Sequence, residues 1–200
     1  MNIKNELDKI HSDYKDIQYN DINIDPTTIQ TIMINEVVPK DEKQDFYGDK
    51  NPEYLKTTIP LFNNAGVDVH NINDILEAGI YITNAVKVPK EGYTIDTNTI
   101  KEHSLILEKE ISLFPNVKVI MLMGDVAKKS FNFISKTKTK KNCVPAISTY
   151  KLRNTEIYYD NIRILPSYIM TGKNILIEKS KFRMASEDIA LMMKIIKGEL

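Results

Sequence analysis

The chain has 200 residues, a length typical of one domain or of one domain with a small appendage. Its 27 lysines and arginines balance 27 aspartates and glutamates, so no global charge indicates a polyanionic partner, although a local basic patch would suffice to bind one. The single cysteine, Cys143, excludes an intramolecular disulfide and a four-cysteine metal or iron–sulfur site within one chain. No segment resembles a signal peptide or a membrane span, so we expect a cytoplasmic protein without a membrane partner.

The first half of the chain predicts helices alternating with two strands. Apolar residues at helical spacing (Ile3, Leu7, Ile10, Tyr14, Ile17) predict an amphipathic helix within residues 1–25, packed on a single domain over residues 26–200. Asp25-Pro26 marks the boundary between the two. The other elements predicted in this half are a strand over about 30–35, helices over 55–65 and 72–77, and a strand over 80–86.

The second half continues this alternation. VKVIMLM, residues 117–123, is apolar almost throughout, which is typical of a parallel strand covered on both faces. The lysine-rich stretch SKTKTKK, residues 135–141, is interpreted as a basic loop. The other predictions are helices over 98–113, 126–134 and 181–196, and strand-like runs near 156–159 and 163–166. Together these elements indicate an α/β protein, a three-layer α/β/α sandwich around a mainly parallel sheet, for which we expect four strands.

Polar residues stand at or just beyond the carboxyl ends of the predicted strands. Glu36 follows the first strand, Asn84 and Lys87 close the second, and Gly124 with Asp125 follows the third. Ser167 follows the last strand-like run. Because ligands of open parallel sheets bind beyond the carboxyl ends of the strands, we expect the functional site there.

Four motifs at these strand ends resemble those of a known family. They are Asn35-Glu36-Val37-Val38-Pro39, Asp45-Phe46-Tyr47-Gly48, Thr83-Asn84-Ala85-Val86-Lys87 and Gly124-Asp125-Val126-Ala127. The uracil-DNA glycosylase superfamily, especially its short branch that usually carries an iron–sulfur cluster, has at these places a Gly-Glu-Ala-Pro-Gly-like turn, Pro-Phe-x-Gly, Thr-Asn-x-x-Lys and Gly-x-x-Ala. The likeness covers roughly residues 31–135, and Leu165-Pro166-Ser167 stands where the family has His-Pro-Ser.

The resemblance implies a DNA glycosylase that hydrolyses the N-glycosidic bond of uracil or a related deaminated base, with damaged DNA as its partner. It implies that Glu36, beside Asn35, orients water and stabilises the sugar cation. A stacking ring and an amide that both donates and accepts would hold the extracted base, and these are Phe46 and Asn84, with Leu165 facing the same pocket. The residues expected to contact the DNA strand are Lys87, Gly124, Asp125, Ser167 and Lys173.

Each of these residues also has an ordinary structural interpretation. Glu36 is also explained as a loop or cap residue, Phe46 as a plug of the core beneath its loop, and Asn84 as a cap at the end of a strand. The lysine-rich stretch and the basic residues after Thr171 are equally typical of solvated surfaces. The functional interpretation therefore requires that Glu36, Phe46 and Asn84 face one another across a cavity.

Two departures from the family pattern change the expectation. The N-terminal region has no cysteine, and Val88 stands where cluster-bearing relatives have one, so we expect no iron–sulfur cluster, metal or other cofactor. Leu165 replaces the histidine that stabilises the leaving base, which implies a slower enzyme or one directed at another damaged base. The alternative is a weak or inactive member of the fold that binds nucleic acid or a nucleobase.

Apolar wedges between base steps help to flip a base out of the stack, and we expect one of Tyr168, Ile169 and Met170 to be such a wedge.

An unrelated α/β nucleotide-binding protein is disfavoured, because the chain lacks both GxGxxG and GxxxxGK[ST].

Overall fold

Apolar runs form a five-stranded sheet in the computed structural model, which describes residues 1–10 and 16–200. The strands are β1 (Thr31–Val37), β2 (Ile80–Val86), β3 (Val119–Met123), β4 (Ile157–Tyr159) and β5 (Ile162–Ser167). Their order is β2-β1-β3-β5-β4, with β4 antiparallel to β5 and the other neighbours parallel. The expected α/β class with a mainly parallel sheet is confirmed, and the carboxyl ends of the parallel strands lie at one edge.

The expectation of four strands is corrected to five within the described part of the chain. β4 coincides with the strand-like run predicted near 156–159, and it adds the fifth strand by forming a hairpin with β5 at the edge of the sheet. Asp160 and Asn161 connect the two strands with φ values of 49° and 66°. Two consecutive residues with positive φ are typical of a tight hairpin turn, which explains why an antiparallel strand is added to an otherwise parallel sheet.

Helices cover both faces of the sheet. Side chains alternate along β1, so Met33 packs in one core cluster with Phe62 of α2 and Ile189 of α8, while Ile32 and Ile34 pack in the opposite cluster with α4 and α5. The helices are α1 (Ile3–Ile10), α2 (Glu53–Asn64), α3 (Ile72–Glu77), α4 (Thr97–Ser112), α5 (Asp125–Thr139), α6 (Thr149–Leu152), α7 (Asn174–Ile177) and α8 (Lys179–Lys197). No helix among the described residues is both long enough and apolar enough to cross a bilayer.

The N-terminal segment is helical over a shorter stretch than the sequence predicts. Ile3 and Leu7 of α1 are buried against the α4–α5 face, α1 is described as far as Ile10, and Tyr14 lies outside the described residues. Residues 17–20 are not helical and run along β2, where the Gln18 N–H donates to the Lys87 carbonyl at 2.8 Å. The segment is therefore bonded to the sheet edge through its backbone.

The lysine-rich stretch SKTKTKK is corrected from a loop to the end of a helix. α5 continues to Thr139, and Lys140 then adopts the left-handed conformation with φ of 61°. Hydroxyls within the stretch donate to carbonyls one turn earlier, as Thr139 does to Ser135 at 2.8 Å. Lysines in the last turn also interact favourably with the negative end of the helix dipole.

Candidate active site

Glu36 lies half-buried near the carboxyl end of β1, where the start of α5 holds its side chain. Its Oε1 accepts a hydrogen bond of 3.0 Å from the N–H of Val126. Burial raises the pKa of Glu36 above its ordinary value, and the Val126 N–H and the Lys90 charge oppose that rise. The carboxylate is thus fixed in position at the positive end of a 15-residue helix.

Gly124 makes this arrangement possible. It precedes α5 with φ of 99°, a conformation that side-chain-bearing residues rarely adopt. A Cβ atom at this position would lie 2.5 Å from Glu36 Oε1 and 2.6 Å from Ile169 Cγ1. The glycine is therefore required both by its backbone conformation and by the close approach of the carboxylate.

Two adjoining clefts extend along this edge of the sheet. The first, which we call the Glu36 cleft, has a volume of about 670 Å³ and is lined by Glu36, Tyr54, Lys90 and Tyr93 among others. The second, the Lys173 cleft, has a volume of about 620 Å³ and is lined by Gly124, Asp125, Tyr150 and Lys173 among others. Both clefts share Ile169, Thr171 and Gly172, so they form one groove crossed by the segment that follows β5.

A chain of hydrogen bonds runs from the Glu36 cleft into the protein. The Thr171 hydroxyl lies 3.2 Å from Asn35 Oδ1, and Asn35 Nδ2 donates to Asn84 Oδ1 at 2.8 Å. Asn84 Nδ2 in turn donates to both carboxylate oxygens of Asp45, at 3.0 and 2.8 Å. Asn35 and Asn84 are each 1 % exposed, so the oxygen and the nitrogen of the Asn84 carboxamide are both engaged by protein groups.

Phe46 lies inside the core rather than on the cleft wall. It is 1 % exposed and belongs to the core cluster that contains Met33 and Phe62. Its ring centroid lies 5.3 Å from that of Tyr54, which lies on the cleft side. The structure therefore brings Glu36, Asn35 and Asn84 to the same strand ends but leaves neither the Phe46 ring nor the Asn84 amide free in the Glu36 cleft.

Three other expected site residues also point inward. Leu165 is 6 % exposed and packs in the core. Ser167 borders the Lys173 cleft but is fully buried, and its Oγ donates to Asp188 Oδ2 at 2.6 Å. Lys87 is 2 % exposed and pairs with Glu110 Oε2 at 2.5 Å, so its ammonium is not at the surface, where a phosphate contact would need it.

Gly124, Asp125 and Lys173 do line the groove together, in the Lys173 cleft. The Asp125 side chain is exposed and pairs with Lys128 at 2.7 Å. These three residues therefore lie along one cleft, and their contact with a DNA strand stays a prediction.

Several residues of the groove were not singled out from the sequence. Tyr54, Lys90 and Tyr93 line the Glu36 cleft. Asp45 accepts the last hydrogen bonds of the chain that runs from Thr171 through Asn35 and Asn84. Tyr93 and Lys90 lie in a polar loop without apolar periodicity, so no sequence pattern marks them. Val126 acts through its backbone N–H, which its residue type does not reveal. Asp45 did carry a signal, because it stands where the resembled motif has proline.

No protein-family model matches the chain, and no curated protein matches it at a significant level. The resemblance to the glycosylases therefore depends on the four motifs, of which those around Glu36, Asn84 and Gly124 lie at strand ends. The iron–sulfur cluster usual in the resembled branch does not fit this chain, because Cys143 is its one cysteine and lies half-buried with Sγ 3.8 Å from the Tyr158 carbonyl.

Proposed function

We propose that this protein is a DNA glycosylase with the three-layer fold of the uracil-DNA glycosylase superfamily, and that it hydrolyses the N-glycosidic bond of uracil or a related deaminated base. The observation that carries the proposal is the Glu36 carboxylate, held by the Val126 N–H at the wall of a cleft of about 670 Å³. A cleft of that size lies within the range of ligand sites and accommodates one nucleotide.

The chemistry assigned to Glu36 is the positioning and deprotonation of water. The water oxygen bonds to C1′ of the sugar as the C1′–N bond breaks, and the bonding electron pair leaves with the base. Glu36 takes the proton from water, which requires the carboxylate to be ionised, and a general base contributes about 10²–10⁴ in rate. Leu165 supplies no hydrogen-bond donor to the leaving base, and the loss of such a donor costs about 10²–10³, so we expect a slow enzyme.

The groove supports binding of a nucleic-acid strand by shape and stacking more than by net charge. Four lysines and four carboxylates line its two clefts: Lys40, Lys90, Lys173 and Lys181, with Glu36, Glu91, Asp125 and Glu178. Strand affinity that depends on phosphate contacts falls steeply with salt. With this balanced lining, we expect only a shallow decrease of affinity as salt rises.

A second candidate function is binding of nucleic acid or a nucleobase without catalysis. Leu165 in place of the family's histidine and Val38-Pro39 in place of its Pro-Gly favour it, because both alter motifs to which the resemblance assigns the cleavage step. The two functions make the same use of the groove and differ only in whether a glycosidic bond is cleaved.

A single-turnover assay separates them. Oligonucleotides containing uracil, hypoxanthine or xanthine are incubated with excess protein, and abasic sites are revealed by alkali cleavage. We expect product with the wild type and at least a hundredfold slower formation with Glu36→Gln, which keeps an acceptor for the Val126 N–H. Glu77→Gln is the matched control, because Glu77 is exposed on α3, ahead of the opposite end of β2. Equal, background-level product from wild type and Glu36→Gln on all three substrates would end the enzymatic proposal.

A further inference from the structure

Tyr93 places a fully exposed aromatic ring at the wall of the Glu36 cleft. Its relative exposure is 101 %, and it lines the same cleft as Glu36 and Tyr54. Single apolar side chains on a surface are ordinary. Tyr93 differs from such residues because it lies beside the candidate catalytic carboxylate of Glu36.

The loop that carries Tyr93 lies between β2 and α4 and contains neither helix nor strand. Lys90 of the same loop lines the cleft and is close enough to Glu36 for its charge to lower the pKa of that carboxyl. A Cβ atom built at Gly92 would meet nothing within 4 Å, so the backbone next to Tyr93 is open on that side. The loop thus borders Glu36 while leaving the Tyr93 ring in solvent.

The aromatic group expected to stack on a base is not available in this cleft. Phe46 is in the core, and Tyr54, which covers it, uses its hydroxyl to donate to the Val37 carbonyl at 2.8 Å. Tyr54 is therefore fixed in the cleft wall, whereas the Tyr93 ring is fully exposed and presents its faces to a ligand.

We propose that Tyr93 stacks on an unpaired nucleobase held in the Glu36 cleft and so positions the nucleotide against Glu36. The inference rests on the proposed function for the identity of the ligand, and it names the group that binds the base. Every base has a π-face, so stacking on Tyr93 tolerates different bases and selects for an unpaired one. Tyr93 is a positioning residue in this scheme, and Glu36 remains the group that acts on water.

Binding to a single-stranded, uracil-containing oligonucleotide tests the proposal in a Glu36→Gln background, which prevents turnover. Removal of one stacking ring weakens strand binding by about 5- to 150-fold. We expect this loss with Tyr93→Ala and recovery with Tyr93→Phe, which keeps the ring and removes only the hydroxyl. Tyr158→Ala is the control, since Tyr158 is also exposed, at 57 %, but lies on β4 outside the groove.

A spectroscopic measurement reports stacking directly. The chain has no tryptophan, so Tyr93→Trp introduces a single reporter. We expect its fluorescence to be quenched by the uracil-containing strand and not by a strand of the same length made only of abasic residues.

The outcomes distinguish the stacking proposal from the proposed function. Weaker binding by Tyr93→Ala with recovery in Tyr93→Phe supports stacking, even if the wild type forms no abasic product. Wild-type binding by Tyr93→Ala, or an equal loss with Tyr93→Phe, overturns stacking even if the wild type is an active glycosylase. If the wild type binds no oligonucleotide at all, both proposals are wrong.

Discussion

The carboxamide of Asn84 is bonded to the carboxylate of Asp45, with Nδ2 at 2.8 and 3.0 Å from the two carboxylate oxygens. The resembled motif has proline where this chain has Asp45, and proline offers no side-chain acceptor. Asp45 therefore competes with any base for the donor end of Asn84. This contact is one structural difference between the site that the resembled motifs imply and the site that the chain forms.

Removal of the Asp45 carboxylate is expected to free the Asn84 amide. We expect Asp45→Ala to improve binding of uracil by about 2- to 10-fold, the value of one recovered hydrogen bond, and to reduce the free energy of unfolding by about 1–3 kcal/mol. Calorimetric titration and urea denaturation measure the two effects. Asp45→Asn is the control, because it keeps an acceptor for Asn84, and uracil binding no better in Asp45→Ala than in Asp45→Asn would contradict the competition.

Gly124→Ala is expected to displace Glu36, since the new Cβ would meet its Oε1 at 2.5 Å. We expect loss of at least about 90 % of any glycosylase activity, in line with the tenfold or larger effects of displaced catalytic groups. Gly66→Ala separates backbone strain from the clash, because Gly66 has a φ of 82° but nothing within 4 Å of an added Cβ. It should cost only about 1–2 kcal/mol of stability and leave activity intact. Equal activity losses in the two variants would show that Glu36 is not the cause.

The activity is expected to fall on the acid side as Glu36 becomes protonated. Burial raises the pKa of Glu36, so this loss should begin at a higher pH than for an exposed glutamate. The Lys90 charge holds that pKa down, so Lys90→Met should move the acid limb of the pH–rate profile to higher pH. Lys109→Met, on the exposed side of α4, should leave the limb unchanged. A shift to lower pH with Lys90→Met would be inconsistent with this electrostatic arrangement.

His103 should make the protein less stable in mild acid. Burial and the Lys87 charge lower the pKa of His103 from 6.5 to about 4, and its Nδ1 accepts the Lys87 N–H at 2.9 Å. The unfolded chain therefore binds the proton more readily, and stability is lost as pH falls from 6.5 towards 4, by at most about 3 kcal/mol from this group. Urea denaturation at pH 7 and pH 4.5 measures the loss.

His103→Gln provides the comparison for this pH effect. It keeps an acceptor but does not titrate, so the stability difference between it and the wild type should shrink at low pH. Glu36, Asp45 and Asp188 have pKa values raised by burial and act with the opposite sign, which is why the difference between variants is the quantity to follow. A difference that is constant with pH would exclude His103 as the source.

Ile169 is the best placed of the three predicted wedge residues. It is 42 % exposed on the segment between the two clefts, whereas Met170 is fully buried. We expect Ile169→Ala to lower activity on duplex substrate about tenfold more than on single strands, because only the duplex requires unstacking, which costs a few kcal/mol per step. Leu176→Ala, at a similarly exposed position on α7, is the control. Equal losses on both substrates would remove the wedge assignment.

The sequence predicts the strands well because their signal is local. Residues 119–123 are all apolar and residues 80–86 mostly so, and the short length of both runs favours strands over helices. The helical end of α5 was not predicted because it consists of lysines and hydroxyl residues without an apolar face. Its lysines lie at the negative end of the helix dipole, and its hydroxyls bond to carbonyls one turn earlier.

The details of the site depend on contacts that no local pattern contains. The engagement of Asn84 depends on Asp45, 39 residues earlier in the chain, and the position of Glu36 depends on a backbone N–H 90 residues later. The motifs indicated Phe46 and Lys87 as contacts to substrate, but both side chains are buried. Phe46 packs against Tyr54, and Lys87 pairs with Glu110. The position of Tyr93 beside the Glu36 cleft follows from the fold and not from any pattern in its loop.

β2 is a terminal strand of the sheet, yet outer hydrogen-bonding groups at Ile82 and at Lys87, just beyond its end, are occupied. The Ile82 N–H donates to the Tyr47 hydroxyl at 3.0 Å, Asn20 lies 3.3 Å from the Ile82 carbonyl, and Gln18 bonds Lys87. An uncovered strand of this kind pairs readily with strands of other molecules. We therefore expect the segment around Gln18 to prevent aggregation through β2. A variant that lacks residues 1–25 should precipitate at concentrations at which the full chain stays monodisperse.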